Sequence, residues 1–190
     1  MSHRVWYAAY GSNLCRERFL RYLTGGPVPE APRRTQSGAR DPSPPMVDRA
    51  CRIPHPLYFA GVSKTWGGGG VAYLDVDQPA EEATLGRLWK ITLEQLEDVY
   101  RQENREAGVL RIDLEALCAS ISLRPSSGPY GRLVLLDHLH GLPVITFTSP
   151  SRRTDSNPPH DSYRRIIARG LQETWSLDAG DAAEYLDRLG

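Results

Sequence analysis

Near its N-terminus the chain carries an unbroken apolar run, Val5-Trp6-Tyr7-Ala8-Ala9-Tyr10, stopped by Gly11-Ser12-Asn13. A run this short, rich in aromatic residues and ended by glycine, is a buried strand closing in a tight polar loop. A helix is expected at once. Cys15, Phe19, Tyr22 and Leu23 recur at helical spacing, Asn13 is suited to N-cap them, and Gly25-Gly26-Pro27 stops the pattern. The unit is therefore strand, polar loop and helix N-terminus, an arrangement in which backbone N–H groups without helical partners face an incoming ligand.

From Pro27 to Pro56 the chain is rich in Pro, Arg and Ser and shows no sustained periodicity, so a long loop or lid is expected there. Leu57 to Val62, Val71 to Val76 and Leu85 to Ile91 read as strands, most simply an antiparallel meander. Between the first two lie Ser63-Lys64-Thr65-Trp66 and the glycines Gly67 to Gly70. That glycine run lacks the following helix and the lysine of a phosphate loop, and is better suited to close backbone approach. Thr92 to Glu103 is the clearest helix, because Thr92 and Gln95 make a capping box and Leu93, Leu96, Val99 and Tyr100 share a face. Residues 104 to 130 have no clear period. Arg132 to Leu136 and Leu142 to Thr148 read as strands joined near Gly141, and helices over Asp161 to Trp175 and about Asp181 to Leu189 close the chain. Bulk strands with irregularly placed helices imply an α+β fold with a small mixed or antiparallel, barrel-like sheet, as one domain over residues 1–190.

Charge removes one class of partner. Lys plus Arg number 23 and Asp plus Glu number 23, so the formal net charge is zero and a basic footprint for nucleic acid is missing at whole-chain level. Only Lys64 and Lys90 are lysine, so the arginine excess reads as a coding bias. Neither a spanning apolar run nor a signal-peptide pattern is seen, which gives the expectation of a soluble cytoplasmic protein without membrane partners. Cys15, Cys51 and Cys118 are too few and scattered for a disulfide framework or a paired-cysteine zinc site.

Two features point to chemistry. The loop Gly11-Ser12-Asn13-Leu14 is a cradle for a carboxylate or phosphate, although an ordinary capped turn has the same spacing. Glu103 falls on the face of Leu96, Val99 and Tyr100, so its carboxylate points where apolar groups point and is suited to proton transfer; a solvated carboxylate at a helix end is the plain alternative. His138 and His140 lie two apart but have no third metal ligand at recognisable spacing, and are expected to be surface or turn histidines. Cys15 has no evident partner to activate it as a nucleophile, and is expected to pack on its helix.

Taken together these segments resemble the gamma-glutamylcyclotransferase-like family. Tyr10-Gly11-Ser12-Asn13-Leu14 is similar to its opening loop, and Thr65-Trp66 with the glycines and Val71-Ala72 is similar to its strand connection. Gly86 through Glu103 places Glu103 on its catalytic glutamate, and Pro158-Pro159, Tyr163 to Ile167 and Gly170 are similar to its closing helix. The resemblance implies cyclisation of a gamma-glutamyl group to 5-oxoproline with release of an amine and no cofactor. Glu103 would be the general acid and base, and Tyr10, Gly11, Ser12, Asn13 and Leu14 would bind a small-molecule substrate. Two tyrosines of the family are missing, where this chain has Leu110 and, before the paired prolines, Thr154. Their loss bears on substrate identity, and the segment from Pro27 to Pro56 is a candidate replacement wall. A related amide-processing enzyme, or a binding domain that lost the chemistry, is the competing reading.

Overall fold

The computed structural model describes residues 3–189. In chain order the elements are β1 (Arg4–Ala9), α1 (Arg16–Thr24), β2 (Gly26–Val28), β3 (Ala31–Gln36), β4 (Val47–Ile53), β5 (Leu57–Ala60), β6 (Val71–Leu74), β7 (Thr84–Thr92), α2 (Leu93–Glu103), α3 (Leu114–Ser120), β8 (Ser122–Leu123), β9 (Arg132–Leu139), β10 (Leu142–Thr148), α4 (Asp161–Trp175) and α5 (Ala179–Arg188). Six strands form the main sheet in the order β4-β7-β1-β10-β9-β8, and the hairpins β2-β3 and β5-β6 stand as separate two-stranded sheets. Among the described residues only β1 and β10 pair in parallel. The α+β class and mostly antiparallel sheet are those expected from the sequence, but the sheet is open. Its ends are β4 and β8, and β8 is only two residues long, so no further pairing brings them together.

β1 is an interior strand, which explains why its apolar run does not alternate with polar residues. Val5, Tyr7 and Ala9 pack on one face with Phe19 and Tyr22 of α1 and Leu96, Val99 and Tyr100 of α2. Trp6 and Ala8 pack on the other with Ile166, Ile167 and Leu171 of α4 and Leu186 of α5. Helices thus cover both faces of the centre of the sheet, and the C-terminal end of β1 opens between them.

The stretch 27–56 is not a structureless loop. It holds β2 and β3 and then β4, which pairs in antiparallel register with β7 from Val47↔Lys90 to Ile53↔Thr84. β4 has an irregular, largely exposed side-chain pattern because it is an edge strand, so no apolar period announces it. Between β3 and β4 the chain is strapped to α2 by polar groups. The Arg40 backbone N–H donates to Asp98 at 2.9 Å and its guanidinium to Glu97 at 2.9 Å, while Gln95 Nε2 donates to the Ser43 carbonyl at 2.9 Å. The expected meander also differs. β5 and β6 pair with each other, whereas β7 inserts between β4 and β1.

The local signals on α2 hold as read. Thr92 is the N-cap, with the reciprocal bonds to Gln95 of a capping box. β9 and β10 are joined through His140 and Gly141, both at positive φ. His138 lies in β9 and His140 in this turn at φ 52°, so strand alternation does not carry both onto one face.

Candidate active site

Where β1 ends, the backbone makes a 3-10 turn over Ser12–Leu14 before α1 begins, and Cys15, not Asn13, occupies the N-cap position. Asn13 is drawn away from capping by a tertiary contact. Its Nδ2 donates to the Tyr7 hydroxyl and to Glu103 Oε1, each at 3.1 Å. The loop and the helix-end carboxylate, 90 residues apart in sequence, are thus in direct contact.

The turn is held from beneath. Trp89 Nε1 donates to the Asn13 carbonyl at 2.9 Å, and buried Arg87 donates to the Leu14 carbonyl at 2.8 Å. The turn's own bonds begin at Leu14 N–H and Cys15 N–H, so the N–H groups of Gly11, Ser12 and Asn13 precede them without a partner in the turn. Glycine is needed at two tight approaches. A Cβ on Gly11 would lie 2.8 Å from the Tyr163 hydroxyl, and one on Gly170 of α4 would lie 2.4 Å from Leu14 Cβ. The glycine run works in the same way, since a Cβ on Gly70 would lie 2.0 Å from the Asn157 carbonyl oxygen.

Over this turn lies a cavity of about 330 Å³, large enough for a small molecule. Tyr10, Gly11, Ser12 and Asn13 line it, as does Glu103, but Leu14 does not; its side chain is fully buried in the core beneath. Glu103 itself is half-buried while Leu96, Val99 and Tyr100 on the same helical face are fully buried, so the carboxylate is the end of that apolar stripe turned into the cavity. The remaining wall was not legible in the sequence. Tyr7, Tyr22, Tyr73, Tyr130 and Tyr163 reach it from five different elements or loops, along with Arg18 from α1 and Gln36 from β3.

Burial governs the protonation of these phenols. Tyr7, Tyr10, Tyr22, Tyr130 and Tyr163 are all pushed above the usual phenol value of 10.0 by desolvation, and Tyr73 is pushed up to about 12 by the same cause. They stay neutral near pH 7; the Tyr10 hydroxyl donates to the Phe147 carbonyl, while those of Tyr7, Tyr22 and Tyr163 accept from Asn13 Nδ2, Arg18 Nη2 and the Ala72 N–H. Tyr130 lies in the stretch 104–130 that has no clear sequence period. Its ring stacks on Tyr73 with centroids 5.0 Å apart, and its hydroxyl donates to the Ala72 carbonyl at 3.1 Å. Neither Leu110 nor Thr154 lines the cavity; the aromatic wall comes from other positions.

Cys15 is buried, its thiol is pushed up by desolvation, and its Sγ lies 3.8 Å from Glu173, outside the cavity. It packs, as expected. Among the described residues no group of three or more His, Cys, Asp or Glu is placed to hold a metal ion, and no helix is long and apolar enough to cross a membrane.

A solved structure titled Gamma-glutamyl cyclotransferase superposes with a TM-score of 0.54 over 98% of this chain and 86% of that one, at 19% identity. The fold is that of gamma-glutamyl cyclotransferase. A second solved structure, of an uncharacterized protein from Homo sapiens, matches with a TM-score of 0.53 over the same shares, at 20% identity. No family model matches the chain. Among curated proteins, Histone deacetylase 5 of Arabidopsis thaliana is 33% identical over 201 residues, covering 97% of this chain and 30% of that protein. The chain therefore spans less than a third of the curated relative's length.

Proposed function

We propose that residues 1–190 act as one cyclotransferase domain, converting a gamma-glutamyl amine to 5-oxoproline and the free amine. The observation that carries this reading is the contact of Glu103 Oε1 with Asn13 Nδ2 at 3.1 Å, inside a cavity walled by neutral phenols on a cyclotransferase fold.

In this reading the α-carboxylate lies against the N–H groups of Gly11, Ser12 and Asn13. The α-ammonium lies beside Glu103. Asn13 Nδ2 holds Glu103 Oε1 at 3.1 Å and so keeps the carboxylate oriented toward the ammonium. Glu103 takes a proton from the ammonium, and the freed amine attacks its own γ-carbonyl carbon, closing a five-membered ring. The oxyanion that forms receives hydrogen bonds from loop N–H groups or phenols. Glu103 then returns the proton to the departing nitrogen as the amide C–N bond breaks, and the second proton of the ring nitrogen passes through the freed Glu103 carboxylate to the released amine, leaving a neutral lactam. Both reacting groups belong to one molecule, so the protein's main task is to hold the ring-closing conformer in place.

Mass spectrometry for 5-oxoproline, across a panel of gamma-glutamyl dipeptides and gamma-glutamyl amines, tests this. Formation of product that Glu103→Gln abolishes supports the reading; product undiminished in that variant removes Glu103 from the reaction. If no panel member turns over, the cavity is a binding site or acts on another amide.

A further inference from the structure

Asn104 follows Glu103 directly and is almost fully buried, at 6% exposed. It ends α2, and the chain turns sharply away at Arg105, whose φ is 55°. The excursion that follows carries α3 and β8 and then comes back to the residue it left. Asn104 Oδ1 accepts from the Tyr130 N–H at 2.9 Å, while Nδ2 donates to the Tyr130 carbonyl at 3.2 Å and to the Tyr100 carbonyl at 3.0 Å. One side-chain amide thus pairs with both backbone groups of a residue 26 positions on, as a neighbouring strand would. Space for the contact is kept open, since a Cβ on Gly128 would overlap the Asn104 side-chain oxygen.

What this clamp holds faces the cavity. Asn104 itself is not among the lining residues, but Tyr130 is. The Tyr130 hydroxyl donates to the Ala72 carbonyl, and the Ala72 N–H donates to the Tyr163 hydroxyl at 3.2 Å. Ala72 belongs to the β5–β6 hairpin, which shares no strand pairing with the main sheet, so side-chain bonds of this kind set how far the hairpin stands from α2. The hairpin in turn abuts the loop, where a Cβ on Gly11 would lie 3.3 Å from Ala72 Cβ. A ring of contacts encloses the cavity: loop to Glu103 through Asn13, the end of α2 to Tyr130 through Asn104, Tyr130 to the hairpin, and hairpin to loop.

Resting on the cyclotransferase reading, we propose that Asn104 is a positioning residue, which fixes the Tyr130 phenol relative to the Glu103 carboxylate and thereby sets the fit of the bound substrate. Without the clamp, the Tyr130 N–H and carbonyl lose their partners and turn to water, and the ring leaves its stack on Tyr73.

Two variants open the clamp from opposite sides. Asn104→Ala removes the amide, and Gly128→Ala pushes the returning chain away without touching α2. Each is expected to raise KM for a gamma-glutamyl dipeptide about tenfold with kcat changed far less, the mark of lost binding rather than lost proton transfer. In a Tyr130→Ala background, Asn104→Ala is expected to change KM by about twofold at most, because residues that act through one another are not additive. Circular dichroism checks that the variants are folded; if Asn104→Ala does not fold, Gly128→Ala carries both comparisons. A KM left unchanged while Tm falls shows a buried amide that only supports the fold, and overturns the proposal. So does a full tenfold effect in the Tyr130→Ala background. If no gamma-glutamyl compound is cyclised, the cyclotransferase reading fails by itself, and nitration of Tyr130 by tetranitromethane, mapped by mass spectrometry, decides the clamp separately. Burial holds the Tyr130 phenol protonated, so release that lowers its pKa by about one unit speeds nitration about tenfold. Such a gain in Asn104→Ala or Gly128→Ala sustains the clamp, and a rate equal to that of the wild type refutes it.

Discussion

Gly170→Ala sets two physical effects against each other. Replacing a mid-helix glycine by alanine ordinarily stabilises by about 0.5–1 kcal/mol. Here the new Cβ would lie 2.4 Å from Leu14 Cβ, 2.5 Å from Cys15 N and 2.5 Å from the Leu14 carbonyl carbon. Ordinary carbon contacts are about 3.5–4.0 Å, so α4 and the loop must separate by about 1 Å. Two of the three obstacles are backbone atoms, which no rotamer change can move aside. Overpacking of this kind costs about 1–3 kcal/mol, which leaves a net loss of up to about 2.5 kcal/mol after the helix gain. In a chain of this length that lowers Tm by up to about 10 °C. The displaced residue is next to Asn13, so activity suffers as well: a 1 Å misplacement costs about 100-fold in kcat/KM. Thermal denaturation and the 5-oxoproline assay are read on the same preparation. A rise in Tm with undiminished turnover would refute the claim that this helix–loop contact shapes the site.

Arg87→Met leaves Asp48, Glu173 and the Leu14 carbonyl without their shared donor. With both carboxylates about a quarter exposed, the expected loss is near the lower end for a broken buried pair, about 3 kcal/mol or about 6–12 °C in Tm; a drop under about 2 °C in calorimetry would show the hub to be dispensable. Alkaline pH should unfold the protein from pH 10 upward. In the unfolded chain a phenol ionises near 10, while the buried ones hold their protons to higher pH, so above 10 the unfolded state binds fewer protons and is favoured. Each such phenol removes about 1.4 kcal/mol of stability per pH unit, and for Tyr73 the loss runs to about pH 12. Tyrosinate absorbance rising together with loss of structure checks this, whereas phenol titration in the intact fold would contradict it. Iodoacetamide near neutral pH should modify exposed Cys118 alone in the native protein, because burial holds the Cys15 thiol above its usual value and Cys51 at about 12. Peptide mapping that finds Cys15 alkylated as fast as Cys118 would show the α1 N-terminus to be open.

What the sequence by itself determined was local. Capping residues and apolar spacing decide α2 within a dozen positions, and the same spacing aims Glu103 along the face of Leu96, Val99 and Tyr100. β1, the β9–β10 hairpin and α4 are legible for the same reason, since their propensities and burial agree over a few residues. Only tertiary structure decided the rest. β4 has no period of its own because its stability comes from register with β7, and Asn13 leaves its capping position because Tyr7 and Glu103 offer its amide better partners. Arg18, Gln36 and the phenols are scattered through the chain and acquire meaning only when the sheet brings them around one cavity. The burial of a phenol, or the orientation of a carboxylate, is a property of the space around a residue, and that space is created by contacts between positions as far apart as 13 and 103.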